Sequence, residues 1–274
     1  MRNARIGRVD VARWTAFAVS VLFSTRAPAA GDDRCWSEEP IPGAYVSACM
    51  ADSSRRFAFA GTGTLIIEQG SVGPGSTGAA VWRAGEFMAG YLVANPSLVR
   101  GKRVIELGCG TGLCGLVAAR LGASRVLLTD GSDTVLERAR RNIALNRLGS
   151  SSAPGSDGTL STRTLLWGGL VAEELRSEFD VVLASDVLYF TGAWRPLSET
   201  VHELLSPTGQ LLLAEAGHDH LPAGVALAGF RSVAEPCGLR FYEGVTESVD
   251  ADVDKIDSDA GGNGPAIARA RAIW

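Results

Sequence analysis

The sequence predicts a doubly wound α/β fold with a mostly parallel, seven-stranded sheet. Over residues 81–274, short apolar segments with strand character alternate with longer segments whose apolar residues recur at helical spacing. A glycine-rich turn joins the first of these strands to the next helix, as in sheets that bind a ligand at their carboxyl edge. Alternation of this kind favours parallel strands with helices on both faces. The chain has 274 residues, which is enough for one such domain with additions.

Residues 1–30 form a separate segment. Several arginines precede an apolar run over residues 14–23, and small residues follow it. This is the layout of a secretory signal, and it also suits an organellar transit peptide. An unstructured extension and a start codon assigned too far upstream are the alternatives. The apolar run is too short to span a bilayer comfortably, so we expect no stable membrane span.

Residues 31–80 are predicted to form a small N-terminal β extension and a linker. Residues 57–59 and 64–68 read as two short strands, with Gly61-Thr62-Gly63 as the turn. Residues 70–78 are rich in Gly, Ser and Pro and connect the extension to the main domain over residues 81–274.

The elements of the main domain follow in order along the chain. Their apolar residues predict helices over residues 84–94, 113–121, 134–146, 193–205 and 223–234. Strands are predicted over residues 102–107, 125–129, 163–167, 180–184, 210–214, 240–245 and 266–273. Residues 180–184 are so apolar that they indicate a central strand, and residues 149–158 read as a flexible loop.

Composition limits the classes of ligand. The formal net charge is -4, so the chain offers no broad basic face for nucleic acid. The five cysteines are scattered without a CxxC pair, which suggests neither a zinc site nor a disulfide framework. We expect reduced, mostly buried thiols.

The glycine-rich turn is the strongest chemical signal. Residues 106–112 read Glu-Leu-Gly-Cys-Gly-Thr-Gly after a buried strand, and Asp130 ends the next strand. Gly110, Gly112 and Gly115 also satisfy the dinucleotide pattern G-x-G-x-x-G. A pyrophosphate on the helix N-terminus would be repelled by Glu106, whereas the sulfonium and amino groups of S-adenosyl-L-methionine would be attracted by it. Glu106 therefore favours S-adenosyl-L-methionine over NAD.

Four segments together resemble a known family. Residues 106–112 resemble motif I of the Rossmann-like, seven-β-strand methyltransferases. Ala80-Val81-Trp82, Leu166-Trp167-Gly168 and Asp186-Val187-Leu188-Tyr189 are similar to three segments of methyltransferase family 16, the methyltransferase-like protein-lysine methyltransferases. The resemblance covers about residues 57–274. It implies an S-adenosyl-L-methionine-dependent N-methyltransferase, a transferase whose acceptor is the lysine side chain of a protein substrate.

The resemblance also implies roles for matching residues. Asp186 and Tyr189 would line the opening where the acceptor amine meets the methyl group, and they are the candidate catalytic residues. The implied cofactor-binding residues are Trp82, Glu106, Gly108, Cys109, Gly110, Asp130, Trp167 and Ser185. Simpler roles stay open: core aromatics for Trp82 and Trp167, a helix cap for Asp186, and a buried hydroxyl for Tyr189.

Other functions also stay open at this point. The chain could be a small-molecule or nucleic-acid methyltransferase, or an inactive methyltransferase-like binding module. We expect a monomer that acts on protein and not on nucleic acid. Because S-adenosyl-L-methionine is scarce outside cells, we expect a cytoplasmic or organellar enzyme; residues 1–30 would direct it elsewhere only if they are a targeting segment.

Two further patterns suggest metals but lack ligands. His218-x-His220 lies in a polar turn with no third ligand evident, so we predict a surface turn. Asp250, Asp252 and Asp254 resemble a calcium loop, but Lys255 stands where glycine is needed. We predict no metal site, and an acidic loop over residues 250–259 that could attract a basic substrate protein.

Overall fold

The computed structural model describes residues 48–50, 52–73, 75–148, 159–218, 220–242 and 266–272. The segment 1–30, the loop 149–158 and the acidic stretch 250–259 lie outside these residues. Within them, no helix combines the length and apolarity needed to cross a membrane.

A β-hairpin precedes the main domain. Strands β1 (Ser54–Phe59) and β2 (Gly63–Glu68) pair antiparallel. Both predicted strands are confirmed, although β1 begins at Ser54 and not at residue 57. Its burial pattern alternates along the strand, so one face is available for packing.

The main domain contains five α-helices and seven strands in the described residues. The helices are α1 (Arg83–Ala94), α2 (Leu113–Arg120), α3 (Asp133–Leu145), α4 (Trp194–Leu204) and α5 (Ala223–Ala234). The strands are β3 (Arg103–Leu107), β4 (Arg125–Asp130), β5 (Thr159–Thr164), β6 (Phe179–Ser185), β7 (Leu205–Glu215), β8 (Leu239–Phe241) and β9 (Ala266–Ala272). Short 3-10 turns at Thr77–Ala79 and Thr191–Ala193 lead into α1 and α4.

The seven strands form one sheet in the order β5-β4-β3-β6-β7-β9-β8. Strands β3 to β7 run parallel, and β9 is antiparallel to both β7 and β8. The predicted doubly wound, mostly parallel fold is confirmed. From β3 the chain adds strands on one side and then crosses to β6 on the other, so the gap between β3 and β6 is the switch point where such sheets bind ligands.

Two hydrophobic cores cover the two faces of the sheet. Strand β6 contributes Val181 and Leu183 to one core, and Val182 and Ala184 to the other. This two-sided burial is why its sequence is continuously apolar, and it confirms the predicted central strand.

The N-terminal hairpin packs into the first of these cores. Phe57 and Leu65 are fully buried there together with side chains of α1 and α2. The amide oxygen of Asn142 on α3 accepts from the Glu68 backbone N–H at 2.7 Å, and that of Asn146, the residue after α3, accepts from the Ile66 N–H at 2.8 Å. The asparagines thus satisfy the edge of β2 that no strand pairs with.

Three expectations need correction. Strand β5 ends at Thr164 because its partner β4 ends at Asp130, so Trp167 lies in the following turn and not in the strand. Strand β7 begins at Leu205, before the predicted residue 210. Cys109, Cys114 and Cys237 are free, and the first two are buried as expected, but Cys49 is disulfide-bonded, since pairing requires spatial proximity and no particular sequence spacing.

Candidate active site

A cavity of about 720 Å³ opens at the carboxyl ends of β3, β4 and β6. That volume is typical of a small-molecule site. Every candidate site residue predicted from the sequence lines it. These are Trp82, Glu106, Gly108, Cys109, Gly110, Asp130, Trp167, Ser185, Asp186 and Tyr189.

The turn after β3 requires its glycines. Gly108, Gly110 and Gly112 have φ values of 63°, 52° and 86°, in the left-handed region. A Cβ on Gly108 would lie 3.0 Å from Val187 Cγ1 and 3.3 Å from the Trp167 ring. The Cys109 backbone N–H donates to the Thr129 carbonyl at 2.8 Å and ties the turn to β4. A ligand can therefore approach the backbone closely.

Glu106 lies on β3, and its side chain reaches the first turn of α2 beneath the glycine turn. Its Oε2 accepts a hydrogen bond from the Gly115 backbone N–H at 2.8 Å. The N-cap residue of α2, Gly112, has no side chain to cap the helix, so Glu106 does so instead. Burial raises the pKa of Glu106 to about 8. A nearby cation would restore its charge. Glu106 already accepts from one of the backbone N–H groups at the helix N-terminus that a pyrophosphate would use. The site is therefore unfavourable for a pyrophosphate.

Asp130 ends β4 on the opposite side of the turn. Its two oxygens accept from the backbone N–H groups of Gly110 at 3.2 Å and Ser132 at 3.0 Å. Burial raises the pKa of Asp130, and these hydrogen bonds oppose the rise. The carboxylate is held by the backbone while it faces the cavity, which suits an acceptor for ligand hydroxyl groups.

Two tryptophans and a serine form the walls. Trp82 precedes α1, and its Nε1 donates to the Thr77 carbonyl at 2.8 Å. Trp167 is half-buried against Gly108. Neither ring is a fully buried core aromatic. Ser185 ends β6 with its Oγ 3.7 Å from Cys114 Sγ.

Asp186 follows β6 in a strained conformation. Its φ is 57°, which is uncommon for a residue with a side chain, and its backbone N–H donates to the Ala214 carbonyl at 2.9 Å. The side chain is 4% exposed and lies 3.4 Å from His218 Nε2. It caps no helix, because Ala193 is the residue that precedes α4. The cap interpretation of Asp186 is therefore wrong.

The cavity opens between aromatic rings. Tyr189 is 45% exposed and Phe190 is 63% exposed, so Tyr189 is not the buried tyrosine of the simpler reading. The His218 ring makes edge contacts with Trp82 and Tyr189, at centroid distances of 6.0 and 6.2 Å. His220 stacks on His218 at 5.8 Å. An elongated apolar group with a polar end would fit this opening.

Glu215 and His218 lie beside Asp186, and neither was predicted from the sequence as part of the site. His218 lines the cavity beside Asp186, so the expectation of a plain surface turn is wrong for it. Glu215 ends β7 and is fully buried, and burial together with Asp186 raises its pKa to about 9. A carboxylate closing an apolar strand at the ligand-binding edge was the available signal for Glu215.

A family model and the sequence relatives agree on one family. A family model described as lysine methyltransferase matches residues 61–219. The chain is 33% identical over 175 residues to the calmodulin-lysine N-methyltransferase of Arabidopsis thaliana, covering 64% of this chain and 54% of that protein. It is 30% identical over 190 residues to EEF1A lysine methyltransferase 3 of Xenopus tropicalis, covering 68% of this chain and 80% of that protein.

The chain thus spans about half the length of the Arabidopsis relative, 54%. Among solved structures, a TehB-like SAM-dependent methyltransferase from Corynebacterium glutamicum is 17% identical, with a TM-score of 0.48 over 73% of this chain and 94% of that one. The family model matches more than half of the chain, including β2, the glycine turn and Asp186, and together with the relatives this shows that the chain belongs to the lysine methyltransferase family.

Proposed function

We propose that this protein transfers the methyl group of S-adenosyl-L-methionine to lysine side chains of a protein substrate. The observation that carries the proposal is the division of one cavity into two ends. Glu106 and Asp130 lie at the end beside the glycine turn, and Asp186 lies at the end that opens between aromatic rings. The two relatives are named as lysine methyltransferases, which supports the same acceptor.

The residues at the inner end fit the cofactor. Glu106, neutral when alone, would regain its charge beside the amino and sulfonium groups, and Asp130 would accept the ribose hydroxyls. Gly108, Cys109 and Gly110 would follow the methionine portion with their backbone. Trp167 would lie by the adenine, while Trp82 and Ser185 would close the cavity from the side of α1 and β6.

The residues at the outer end fit a lysine. The aromatic rings of Tyr189 and Phe190 would flank the aliphatic chain, and Asp186 would attract the ammonium group. S-adenosyl-L-methionine supplies an electrophilic methyl group, which only a neutral amine can attack. Asp186 would orient that amine, and most of the acceleration would come from positioning. We further propose that the protein acts as a monomer, with no nucleic acid as substrate.

Label transfer tests the proposal. The purified protein is incubated with S-adenosyl-L-methionine carrying an isotopic methyl group and a cell lysate, and the label is sought in protein, RNA and small molecules. We expect label on lysine residues, identified by mass spectrometry. Label in RNA or in metabolites alone would identify one of the other methyltransferase classes, and the absence of any label with intact cofactor binding would indicate an inactive binding module.

Two matched variants test whether the cavity binds the cofactor. Asp130→Ala should weaken cofactor binding by about 1.5–3 kcal/mol, the range for hydrogen bonds to charged groups. The exposed neighbour Asp133 does not line the cavity, so Asp133→Ala should bind the cofactor normally. Calorimetry on both variants, with NAD as a second ligand, measures this. Binding of NAD without binding of S-adenosyl-L-methionine would contradict the cofactor assignment.

A further inference from the structure

Three polar side chains meet at the outer end of the cavity. Asp186 Oδ1, Glu215 Oε1 and His218 Nε2 all lie within 4.8 Å of one another. Glu215 is held in place because its Oε2 accepts from the Leu188 backbone N–H at 3.2 Å. Its Oε1 and Asp186 Oδ1 are buried, and among the described residues their only hydrogen-bond partner is each other, when one of the two carboxyl groups is protonated. Unsatisfied buried oxygens are costly, so a donor from a ligand is expected here.

The charges at this cluster favour a cationic donor. Burial, and after it the neighbouring carboxyl group of Asp186, raises the pKa of Glu215 to about 9, so Glu215 keeps its proton near neutral pH. His218 is the basic side chain that forms ion-pair contacts with Asp186 and Glu215 among the described residues, at 3.4 and 4.0 Å. On β9, the residue paired with Glu215 is the uncharged Ala266. The cluster is therefore acidic and able to gain a proton.

We propose that Glu215 and His218 complete, with Asp186, the site that holds the acceptor ammonium and receives one of its protons. The inference rests on the proposed function. It gives roles to Glu215 and His218, to which the family resemblance gave none. Asp186 and His218 line the cavity and would contact the amine. Glu215 lies behind Asp186 and outside the cavity lining, so it is a positioning residue that acts through the shared proton.

The proton and electron balance is simple. An N–H bond of the ammonium breaks, and its proton passes to the carboxyl pair, which carries a single negative charge. The lone pair left on nitrogen forms the new N–C bond as the S–C bond of the cofactor breaks, and sulfur keeps that electron pair as a neutral thioether. The methylated ammonium carries away the positive charge, and the carboxyl pair returns its proton to water.

The pH dependence of label transfer tests Glu215. The Glu215→Gln variant preserves the side-chain shape and can still accept from Leu188 N–H, but it cannot share a proton. At pH 7 we expect its rate of label transfer to fall about tenfold or more, the scale of one charged hydrogen bond. The rate should recover towards the normal enzyme by about pH 9.5, because lysine then loses its proton to water more readily. A purely structural defect would not recover with pH.

Ser206→Ala provides the control, since Ser206 is buried at the other end of β7. Its rate should stay unchanged, and affinity for S-adenosylhomocysteine should stay within about twofold in both variants. A Glu215→Gln rate equal to that of the normal enzyme at every pH would overturn the inference. So would activity that a chelator abolishes and a divalent cation restores, because the cluster would then hold a metal.

A binding measurement separates this inference from the proposed function. n-Butylamine, a probe for the lysine side chain, is titrated into the protein saturated with S-adenosylhomocysteine, with n-butanol as its neutral analogue. We expect Glu215→Gln and His218→Phe to weaken butylamine binding about tenfold and to leave butanol binding unchanged. Failure to methylate any protein, with this pattern intact, would refute the protein substrate alone. Normal methylation without this pattern would refute the amine site alone.

Discussion

Glu106 is a buried acid and Asp130 a half-buried one, and we expect their raised pKa values to make ligand binding depend on pH. An acid with a pKa of about 8 in the folded chain, against an ordinary value of 4.5, binds a proton that the unfolded chain releases. The protein without ligand therefore loses stability as the pH rises from about 4.5 to about 8. A cationic ligand reverses this preference because it favours the ionised carboxylate.

We accordingly expect affinity for S-adenosyl-L-methionine to rise with pH between about 6 and 8, by at most about tenfold per pH unit for one released proton. Calorimetry at several pH values, in buffers with different ionisation enthalpies, measures both the affinity and the released proton. Glu106→Gln should bind more weakly and show a smaller pH dependence, with Asp130 contributing the remainder. An affinity that is flat or falls with pH would show that Glu106 does not face the cationic end of the cofactor.

Asp186 and Tyr189 should affect turnover and not cofactor binding. Because Asp186 is proposed to contact the acceptor, Asp186→Ala should slow label transfer by about 3–4 kcal/mol, a few hundredfold, with cofactor affinity nearly unchanged. Tyr189 is half-exposed, so its ring is expected to act as a wall. Tyr189→Phe should then be mild and Tyr189→Ala severe, as measured by label transfer. Equal losses in the two Tyr189 variants would assign the effect to the hydroxyl, and an early-melting but fully active Asp186→Ala would remove Asp186 from the site.

Helix α2 packs closely against β3 and β4 at Gly115, where there is no room for a side chain. A Cβ on Gly115 would lie 2.1 Å from Leu128 Cδ2 and 2.9 Å from Glu106 Oε2. Gly115→Ala should therefore cost about 1–3 kcal/mol through overpacking and should also weaken cofactor binding by displacing Glu106. Gly90 in α1 has nothing within 4 Å of the same position, so Gly90→Ala should stabilise by about 0.5–1 kcal/mol. Denaturant unfolding of both variants tests the contrast, which equal effects would contradict.

Most helices and strands could be predicted because their buried residues recur in the sequence with the period of the element. Helices α1 and α5 have the predicted positions to within a residue at each end. Where the predicted bounds are wrong, the element is limited by the strand with which it pairs. Strand β5 ends with β4, its pairing partner, and no feature of residues 163–167 themselves reveals that limit.

The N-terminal hairpin is tied to the main domain by a buried ion pair. Arg55 on β1 and Glu86 on α1 lie 2.5 Å apart, with side chains 5% and 9% exposed. Arg55→Met should destabilise the protein by about 3–5 kcal/mol, because it leaves a buried carboxylate without its cation. The double variant Arg55→Met with Glu86→Leu should regain most of that loss. Thermal and denaturant unfolding measure both. A double variant no more stable than Arg55→Met alone would mean that the pair is not the cause.

For the whole molecule, the sequence alone determined the α/β class, the glycine turn and the residues that follow strands at the ligand-binding edge. These features are local: burial repeats along each element, and a parallel sheet gathers the carboxyl ends of its strands at one edge. Glu106, Asp130 and Asp186 could be placed in one cavity on that basis. Only the tertiary structure decided that Glu215 and His218 lie against Asp186, that β9 inserts between β7 and β8, and that Arg55 meets Glu86. These contacts join residues far apart in the chain, and they depend on strand order and packing, which no local pattern of residues records.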